Sequence, residues 1–226
     1  MNILHLGKYY PPYHGGMEHY LQDLAEEQVK QGHKVTVLVH NHDCGPILSN
    51  TKTEQLNGVE VIRLKSTRPI FFTPLMWRLG KKLNQLVSQQ KTDLIHLHWP
   101  NPSLIFLLFN KKTKSIPLVM RWHSDMVTDA SSRLLKLIYR MVKPIEQTII
   151  KRCHYIFCSS PTYIQHSPAL SKHKNKCQVI PLGIKPMLSD PKKLLPLTWA
   201  KELWPPSKLR VFHLGRLTFY KNQKLL

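Results

Sequence analysis

The sequence predicts an α/β fold in which helices cover both faces of a doubly wound parallel sheet. Short apolar runs of the kind that form buried strands alternate with longer segments of helical periodicity. The chain has 226 residues, which is enough for one sizeable core but not for two large domains. Because strand, helix and strand follow one another repeatedly, the strands are expected to run parallel, with the helices packed against the sheet.

Each predicted element rests on its own local pattern. The strands are runs rich in Val, Ile and Leu between turn residues, and they are expected at residues 3–6, 35–39, 59–64, 94–97, 118–120, 155–158 and 178–180. The helical segments have apolar residues at helical spacing, and they are expected at residues 17–30, 75–87, 103–109 and 133–150, with a short helix near Tyr163. Pro144 is expected to kink the fourth helix because it removes a backbone donor.

The alternation stops after Gly183, and this defines the expected domain organisation. Residues 1–183 form the predicted domain, and the proline-rich stretch 184–208 is interpreted as a linker. A fresh apolar strand begins at residue 209, so residues 209–226 are expected to be the first strand and loop of a second, truncated domain. A single strand of this type cannot form a sheet of its own.

The chain is strongly basic, with 33 Lys and Arg against 13 Asp and Glu and a formal net charge of +20. Such a charge attracts nucleic acid, anionic membrane surfaces and phosphorylated small molecules, and the charge alone does not separate these partners. No zinc-finger spacing, ribonucleoprotein motif or recognition-helix pattern is found, so nucleic acid is the least favoured partner. The N-terminus lacks the pattern of a signal peptide, and a cytoplasmic location is expected.

A glycine-bearing loop between the first strand and the first helix is the clearest candidate for a ligand site. Gly15 and Gly16 stand directly before the helix, so backbone without side chains can approach a ligand there. Free N–H groups and the positive end of the helix dipole favour a phosphate or carboxylate. A Gly-Gly turn can equally be structural, and the loop lacks the G-x-G-x-x-G fingerprint of dinucleotide-binding enzymes.

Several motifs in order along the chain resemble the large family 4 of retaining GT-B glycosyltransferases, whose N-terminal domain is Rossmann-like. The similarity includes the Pro-Pro and Gly-Gly-x-Glu loop at residues 11–18 and five later segments, at residues 32–37, 93–99, 121–125, 159–160 and 180–184. Residues 214–217, with Lys221, resemble the opening of that family's second domain. The order of these matches over nearly the whole chain is more specific than any one of them.

The resemblance implies a donor site for a nucleotide-sugar. Gly15 and Gly16 would lie beside the donor diphosphate, and His123 would contact the sugar and diphosphate, although a histidine that caps a strand end is the alternative. Arg216 and Lys221 would bind the diphosphate and stabilise it as a leaving group. Fixed cations can stabilise that charge without a metal, so no metal and no cofactor are expected.

Four further residues are candidates for the acceptor side of the cleft: Glu18, His98, Trp99 and Asp125. Trp99 would offer a stacking surface for a sugar, and either carboxylate could hydrogen-bond an acceptor hydroxyl. His96 and His98 alternate on a strand and therefore share a face, a geometry that could ligate a metal. The sequence shows no third ligand for such a site.

The resemblance implies transfer of a sugar from a nucleotide-sugar donor to a saccharide or lipid-linked acceptor, with retention, in the synthesis of cell-surface polysaccharide or glycolipid. The family's E-x7-E segment and its nucleotide-base contacts belong to the second domain. This chain alone is therefore expected to be inactive or weakly active unless a second polypeptide supplies that domain. The alternatives are an inactive remnant or partner subunit that binds acceptor or membrane and, less favoured, a nucleic-acid-binding protein.

Two basic amphipathic segments favour a peripheral contact with an anionic membrane. Residues 75–83 and 133–143 mix large apolar side chains with several cations, as interfacial helices do. The alternative is that the apolar stripes are core and the cations face solvent. If the membrane contact exists, we expect it at the cytoplasmic face of the inner membrane.

Overall fold

The computed structural model describes residues 1–41, 51–67, 74–89, 91–126 and 133–183. The expected linker at 184–208 and the expected start of a second domain at 209–226 lie outside the described residues. The same holds for Arg216 and Lys221, the two cations predicted to bind the diphosphate.

The described residues form one mixed α/β domain around an eight-stranded sheet, which confirms the predicted fold class. The order of the strands is β3-β4-β2-β1-β5-β6-β7-β8, and every neighbouring pair is parallel except β3 with β4. The strands are β1 (Asn2–Leu6), β2 (Lys34–His40), β3 (Lys52–Leu56), β4 (Val59–Leu64), β5 (Leu94–Trp99), β6 (Leu118–Trp122), β7 (Tyr155–Cys158) and β8 (Cys177–Val179).

Strand β3 is the element that the sequence pattern did not reveal. Its five residues are mostly polar, and it pairs antiparallel with β4 at the edge of the sheet. Asn57 and Gly58 form the turn between the two strands, and both have positive φ angles of 50° and 82°. These angles are typical of the tight hairpin turns that Asn-Gly favours. The side chains of β3 are largely exposed, so the strand needs few apolar residues, and polar side chains at an edge discourage pairing with another chain.

The helices lie close to their predicted positions. They are α1 (Gly16–Lys30), α2 (Leu79–Gln89), α3 (Ile105–Leu108), α4 (Arg133–Arg152) and α5 (Pro161–His166), with short 3-10 turns at Pro102–Leu104, Lys111–Thr113 and Lys174–Lys176. Helix α2 begins four residues later than predicted, and the segment predicted as one helix at 103–109 is a 3-10 turn followed by one turn of α-helix. Pro144 lies inside α4.

Two hydrophobic clusters sit on opposite faces of the sheet. The larger cluster joins one face to helices α2, α3 and α4, with Leu6, Leu97 and Leu83 among its fully buried members. The smaller cluster joins the other face to α1, with Val37 and Leu21 among its members. We call the second face the α1 face. Since side chains alternate along a strand, β2 and β4 contribute residues to both clusters.

Candidate functional site

The glycine-bearing loop after β1 is held by buried polar side chains from two other strands, β4 and β2. Arg63 of β4 donates to the backbone oxygens of Tyr10 and Pro11 and forms an ion pair with Glu54, with 2.6 Å between Nε and Oε1. His40 Nδ1 lies 2.6 Å from the oxygen of Lys8. These contacts fix the loop backbone at the carboxyl edge of the parallel strands, where ligands bind in folds of this type.

The start of α1 is open to approach by a ligand. Gly15 is the N-cap residue, and no side chain caps the helix there. A Cβ atom built on Gly16 would meet no atom within 4 Å, so packing does not require glycine at this position. The unsatisfied N–H groups of a first helical turn attract anions. The start of α1 is therefore uncapped and open at Gly16, and binding of an anion there stays a prediction.

A chain of hydrogen bonds runs through the α1 face and ends at His123. Gln28 of α1 places its side-chain oxygen 2.7 Å from His5 Nε2. His5 Nδ1 lies 3.1 Å from His98 Nε2, and His98 Nδ1 lies 3.2 Å from His123 Nε2. The four residues come from α1, β1, β5 and the end of β6, so they meet only in the folded chain.

Gln28 determines which ring nitrogens donate and which accept in this series of hydrogen bonds. The carbonyl oxygen of Gln28 accepts a hydrogen bond, so the Nε2 atom of His5 carries the proton. In a neutral ring the other nitrogen is an acceptor, and His98 therefore donates from Nε2. By the same step His123 donates from Nε2, and its Nδ1 atom keeps a lone pair that can accept a hydrogen bond from a substrate hydroxyl.

Burial keeps these rings neutral. Desolvation lowers the pKa of His5 to about 4, although the hydrogen bond to Gln28 raises it. Desolvation, followed by the positive charge of Arg121, lowers the pKa of His123 to about 4. The pKa of His98 lies well below its usual value for the same main reason, with the neighbouring histidines and Arg121 adding to the effect. All three imidazoles are therefore uncharged near pH 7.

His96 is the fourth histidine of this face, and it raises the question of a metal site. One ligand nitrogen from each of His5, His96 and His98 lies within 4.8 Å of the others, so the structure supplies the third ligand that the sequence did not show. A bound zinc ion at about 2.0–2.1 Å from each nitrogen would bring them to within roughly 3.4 Å of one another. In addition, the positive charge of Arg121 acts on His96 and His98 and would repel a divalent cation. A hydrogen-bonded chain fits these distances better than a metal site.

Tyr20 and Arg121 complete the surroundings of His123. Tyr20 lies one turn beyond Gly16 on α1, and its ring meets that of His123 edge to face at 5.2 Å between centroids. The guanidinium carbon of Arg121 lies 4.9 Å from the centroid of the Tyr20 ring. The structure therefore places the first turns of α1 and His123 on the same side of the sheet, as a shared donor site requires.

Trp99 corrects one of the acceptor-side predictions. Its side chain is 1% exposed and stacks on Trp122 inside the larger cluster, with 5.5 Å between centroids. His98 points to the α1 face, and the next residue along the strand must point to the opposite face. Trp99 therefore stabilises the core and does not offer a surface to a sugar. His98 is also buried, at 1% exposure, and contacts His123 rather than solvent.

The two carboxylates predicted for the acceptor side have structural surroundings. Asp125 Oδ1 accepts hydrogen bonds from Trp122 Nε1 at 2.9 Å and from Ser167 Oγ at 2.7 Å, so this oxygen holds the end of β6. Glu18 is buried in the first turn of α1, where a negative charge is favoured by the helix dipole. Contact of either residue with an acceptor stays a prediction.

Four residues of the site were missed from the sequence: His5, Gln28, Tyr20 and Arg121. A signal for His5 was present, because β1 and β5 are neighbours in a doubly wound sheet and His5 pairs with His96. Tyr20 and Arg121 had no such signal. Their role depends on where α1 crosses the strands, and the spacing of residues does not determine that position.

This architecture and the position of the site define a GT-B type of domain, and solved structures agree. Sucrose-phosphate synthase from Thermosynechococcus elongatus superposes with a TM-score of 0.56 at 15% identity, over 81% of this chain and 48% of that one. UGT2 of Phytolacca americana, whose structure was determined with UDP-2fluoro-glucose and pterostilbene, gives a TM-score of 0.50 at 11% identity, over 81% and 54%. At these identities the likeness concerns the fold.

The chain belongs to Glycosyltransferase Family 4, whose model matches residues 14–187. It is 28% identical over 188 residues to O-antigen chain mannosyltransferase C of Escherichia coli, covering 82% of this chain and 46% of that protein. It is 29% identical over 178 residues to an uncharacterized glycosyltransferase of Methanocaldococcus jannaschii, covering 76% and 37%. The chain therefore spans less than half the length of these curated relatives.

Proposed function

We propose that this chain forms the acceptor-side half of a glycosyltransferase that moves a sugar from a nucleotide-sugar to a saccharide or lipid-linked acceptor. The observation that carries the proposal is the position of His123, whose neutral ring lies beside Tyr20 one turn from the open start of α1. A donor diphosphate at Gly15 and Gly16 would place its sugar near the Nδ1 atom of His123. That atom can accept a hydrogen bond from a sugar hydroxyl.

The structure of the site supports a phosphate at the start of α1. Backbone N–H groups and the helix dipole supply positive potential, and the absence of a side chain at Gly16 lets an oxyanion approach the backbone. Membership of Glycosyltransferase Family 4 supports a nucleotide-sugar as the donor. UGT2 of Phytolacca americana, which shares the fold, has a structure in complex with UDP-2fluoro-glucose. In this proposal Arg216 and Lys221 stabilise the departing diphosphate.

Three finer parts of the proposal rest on the relatives and on the family resemblance. The similarity to an O-antigen mannosyltransferase supports a role in the synthesis of cell-surface polysaccharide. Retention of anomeric configuration, without a metal or other cofactor, rests on the family resemblance alone. Because the chain spans less than half the length of its curated relatives, the proposal includes a second polypeptide or further chain that supplies the donor-binding half.

Measuring the binding of nucleotide-sugars tests the proposal without requiring sugar transfer. Saturation-transfer NMR would be recorded on the purified chain with a panel of uridine and guanosine diphosphate sugars. Gly16→Ala adds one methyl group where nothing lies within 4 Å, so the fold should be unaffected while the diphosphate is blocked. We expect binding to weaken by about tenfold, equivalent to about 1.4 kcal/mol.

Gly80→Ala is the matched control. It adds the same methyl group near the start of α2, where the new atom would lie 3.8 Å from the nearest oxygen, an ordinary contact. The control should leave donor binding unchanged. Equal binding by both variants and the unchanged chain would contradict a donor site at Gly16 and favour the inactive remnant.

A surface on the opposite side of the sheet favours a second candidate function, contact with an anionic membrane. Trp77 and Phe109 are 51% and 78% exposed beside Lys111 and Lys112, and the four line one shallow pocket. Arg78 lies over the Trp77 ring at 4.6 Å. We call this set of exposed aromatic and basic side chains the Trp77 surface. Aromatic rings with cations around them are typical of proteins that lie on a bilayer.

Helix α4 extends the apolar character of this side of the protein. Leu137 and Met141 on this helix are 58% and 69% exposed, and α4 contacts α3, the helix next to Phe109. No helix among the residues the structure describes combines the length and apolarity needed to cross a bilayer. In this proposal the Trp77 surface rests on the cytoplasmic face of the membrane, close to a lipid-linked acceptor.

A further inference from the structure

Arg121 is a buried cation whose charge no described carboxylate balances. Its side chain is 1% exposed, and among the described residues it has one hydrogen bond, from Nη1 to the backbone oxygen of Ile180 at 2.6 Å. Its Nε and Nη2 atoms are buried and have no hydrogen-bond partner within that part of the chain. A buried guanidinium without a counter-charge is costly, so a site that keeps one calls for an explanation.

The two unpartnered nitrogens share one edge of the guanidinium plane. Nη1 lies next to Cδ and bonds Ile180, which leaves Nε and Nη2 side by side on the other edge. This edge presents two parallel N–H groups, the arrangement that binds two oxygens of a phosphate or carboxylate at once. The edge that is free is therefore the one suited to an oxyanion.

The other groups around Arg121 favour an anion over a cation. The charge of Arg121 acts on His96, His98 and His123, and burial keeps these rings neutral, so they add no competing positive charge. Tyr20 contacts the guanidinium through its ring, and no described residue hydrogen-bonds the edge with the two N–H groups. An entering oxyanion would meet one fixed positive charge and several polar rings.

We propose that the Nε and Nη2 edge of Arg121 is a phosphate-binding site that lies deeper in the cleft than His123. Arg121 precedes His123 by two residues, and both contact Tyr20, so a phosphate held there would adjoin the proposed sugar position. Ile180 borders the site, because its backbone oxygen accepts the hydrogen bond from Nη1. Since Nε and Nη2 are shielded from solvent, the proposal requires the neighbouring segment at Ile180, which is 42% exposed, to move outward when the ligand enters.

Two sources could supply the phosphate under the proposed function. One is the diphosphate of the nucleotide-sugar donor, and the other is the phosphate of a lipid-linked acceptor. Both present the same tetrahedral oxyanion to Arg121. The site itself is a property of the described residues, and its test does not depend on sugar transfer.

The test follows the side-chain Nε–H resonance of Arg121 by NMR in the unmodified chain. Inorganic pyrophosphate, uridine and guanosine diphosphates, and farnesyl phosphate would be titrated separately at constant ionic strength. We expect a saturable shift of the Arg121 resonance with pyrophosphate. A larger affinity for a nucleoside diphosphate would identify the donor as the source, and a larger affinity for farnesyl phosphate would identify the acceptor.

Arg121→Lys retains the charge but loses the planar edge, so it should bind pyrophosphate about tenfold more weakly or worse. Arg140→Lys, an exposed position on α4, is the matched control and should bind as the unmodified chain does. No shift of the Arg121 resonance with any probe, or equal affinity in the Arg121→Lys and unmodified chains, would overturn the proposal. Nucleotide-sugar binding that depends on Gly16, together with no response of the Arg121 resonance to any of the phosphate probes, would overturn it while leaving the proposed function intact.

Discussion

The Nδ1 atom of His98 lies 3.2 Å from the Nε2 atom of His123. This contact links the residue proposed to meet the sugar to a histidine that is shielded from solvent. His98 in turn contacts His5, and His5 contacts Gln28 on the helix that begins at the glycine loop. The orientation and tautomer of His123 are thus set by Gln28, His5 and His98, as outer residues orient functional histidines elsewhere.

The first prediction concerns Gln28, which selects the tautomers of the hydrogen-bonded histidines. Gln28→Met has a similar shape but offers no oxygen to His5, so the histidine chain loses the group that selects one tautomer. We expect the Nδ1 nitrogen of His123 to change from purely unprotonated to a mixture of both states. Long-range ¹H–¹⁵N NMR of the imidazole rings measures this directly.

Gln22→Met provides the control for this experiment. Gln22 lies on the same helix and donates to Glu26 at 2.7 Å, away from the histidines. It should leave the tautomer of His123 unchanged. If Gln28→Met also left the tautomer of His123 unchanged, Gln28 would not be the residue that selects it.

The second prediction is a loss of stability in acid. The folded-state pKa values of His5 and His123 are about 4, below the value of 6.5 for an unfolded chain, so the unfolded chain binds more protons between these limits. Stability from these groups is complete above pH 6.5 and is lost as the pH falls toward 4. Each such histidine should lower the free energy of unfolding by up to about 1.4 kcal/mol per pH unit.

Urea unfolding of the unmodified chain at pH 8, 7, 6 and 5 measures this dependence. The values at pH 8 and 7 serve as an internal control, because these histidines are neutral in both states there. We expect a steep fall between pH 6 and 5. A free energy of unfolding that stays constant down to pH 5 would show that the histidines are not buried as described.

The third prediction concerns the Trp77 surface. Trp77→Ser together with Phe109→Ser should remove the aromatic part of a membrane contact, and each ring contributes roughly 1.5–3 kcal/mol when it is fully buried. We expect the double variant to bind vesicles containing 30 mol% phosphatidylglycerol at least tenfold more weakly than the unmodified chain does. Co-sedimentation at low and high salt measures this, and added salt should weaken binding through the lysines.

Vesicles of phosphatidylcholine alone are the lipid control, and Tyr155→Ser is the control variant. Tyr155 is also exposed, at 50%, but it lies on β7, away from the Trp77 surface. It should leave vesicle binding unchanged. Equal binding by the double variant and the unmodified chain would contradict the membrane contact.

The sequence by itself determined the class of fold and the place of the candidate site. Buried strands such as β2 and β6 are recognisable because apolar, β-branched runs of that length suit few other structures. The glycine loop and His123 follow β1 and β6 directly, and parallel strands bring their carboxyl ends to one edge. Local pattern and chain order therefore suffice for these conclusions.

Only the tertiary structure decided which residues of the site face one another. Both faces of β5 are covered, so the hydrophobic pattern does not show that His98 points to α1 and Trp99 to the core. Whether His5 contacts His98 depends on the order of the strands. Whether Arg121 has hydrogen-bond partners depends on which side chains the fold places beside it. Contacts between residues about 90 positions apart are set by packing of the whole sheet, and no local run of sequence contains that information.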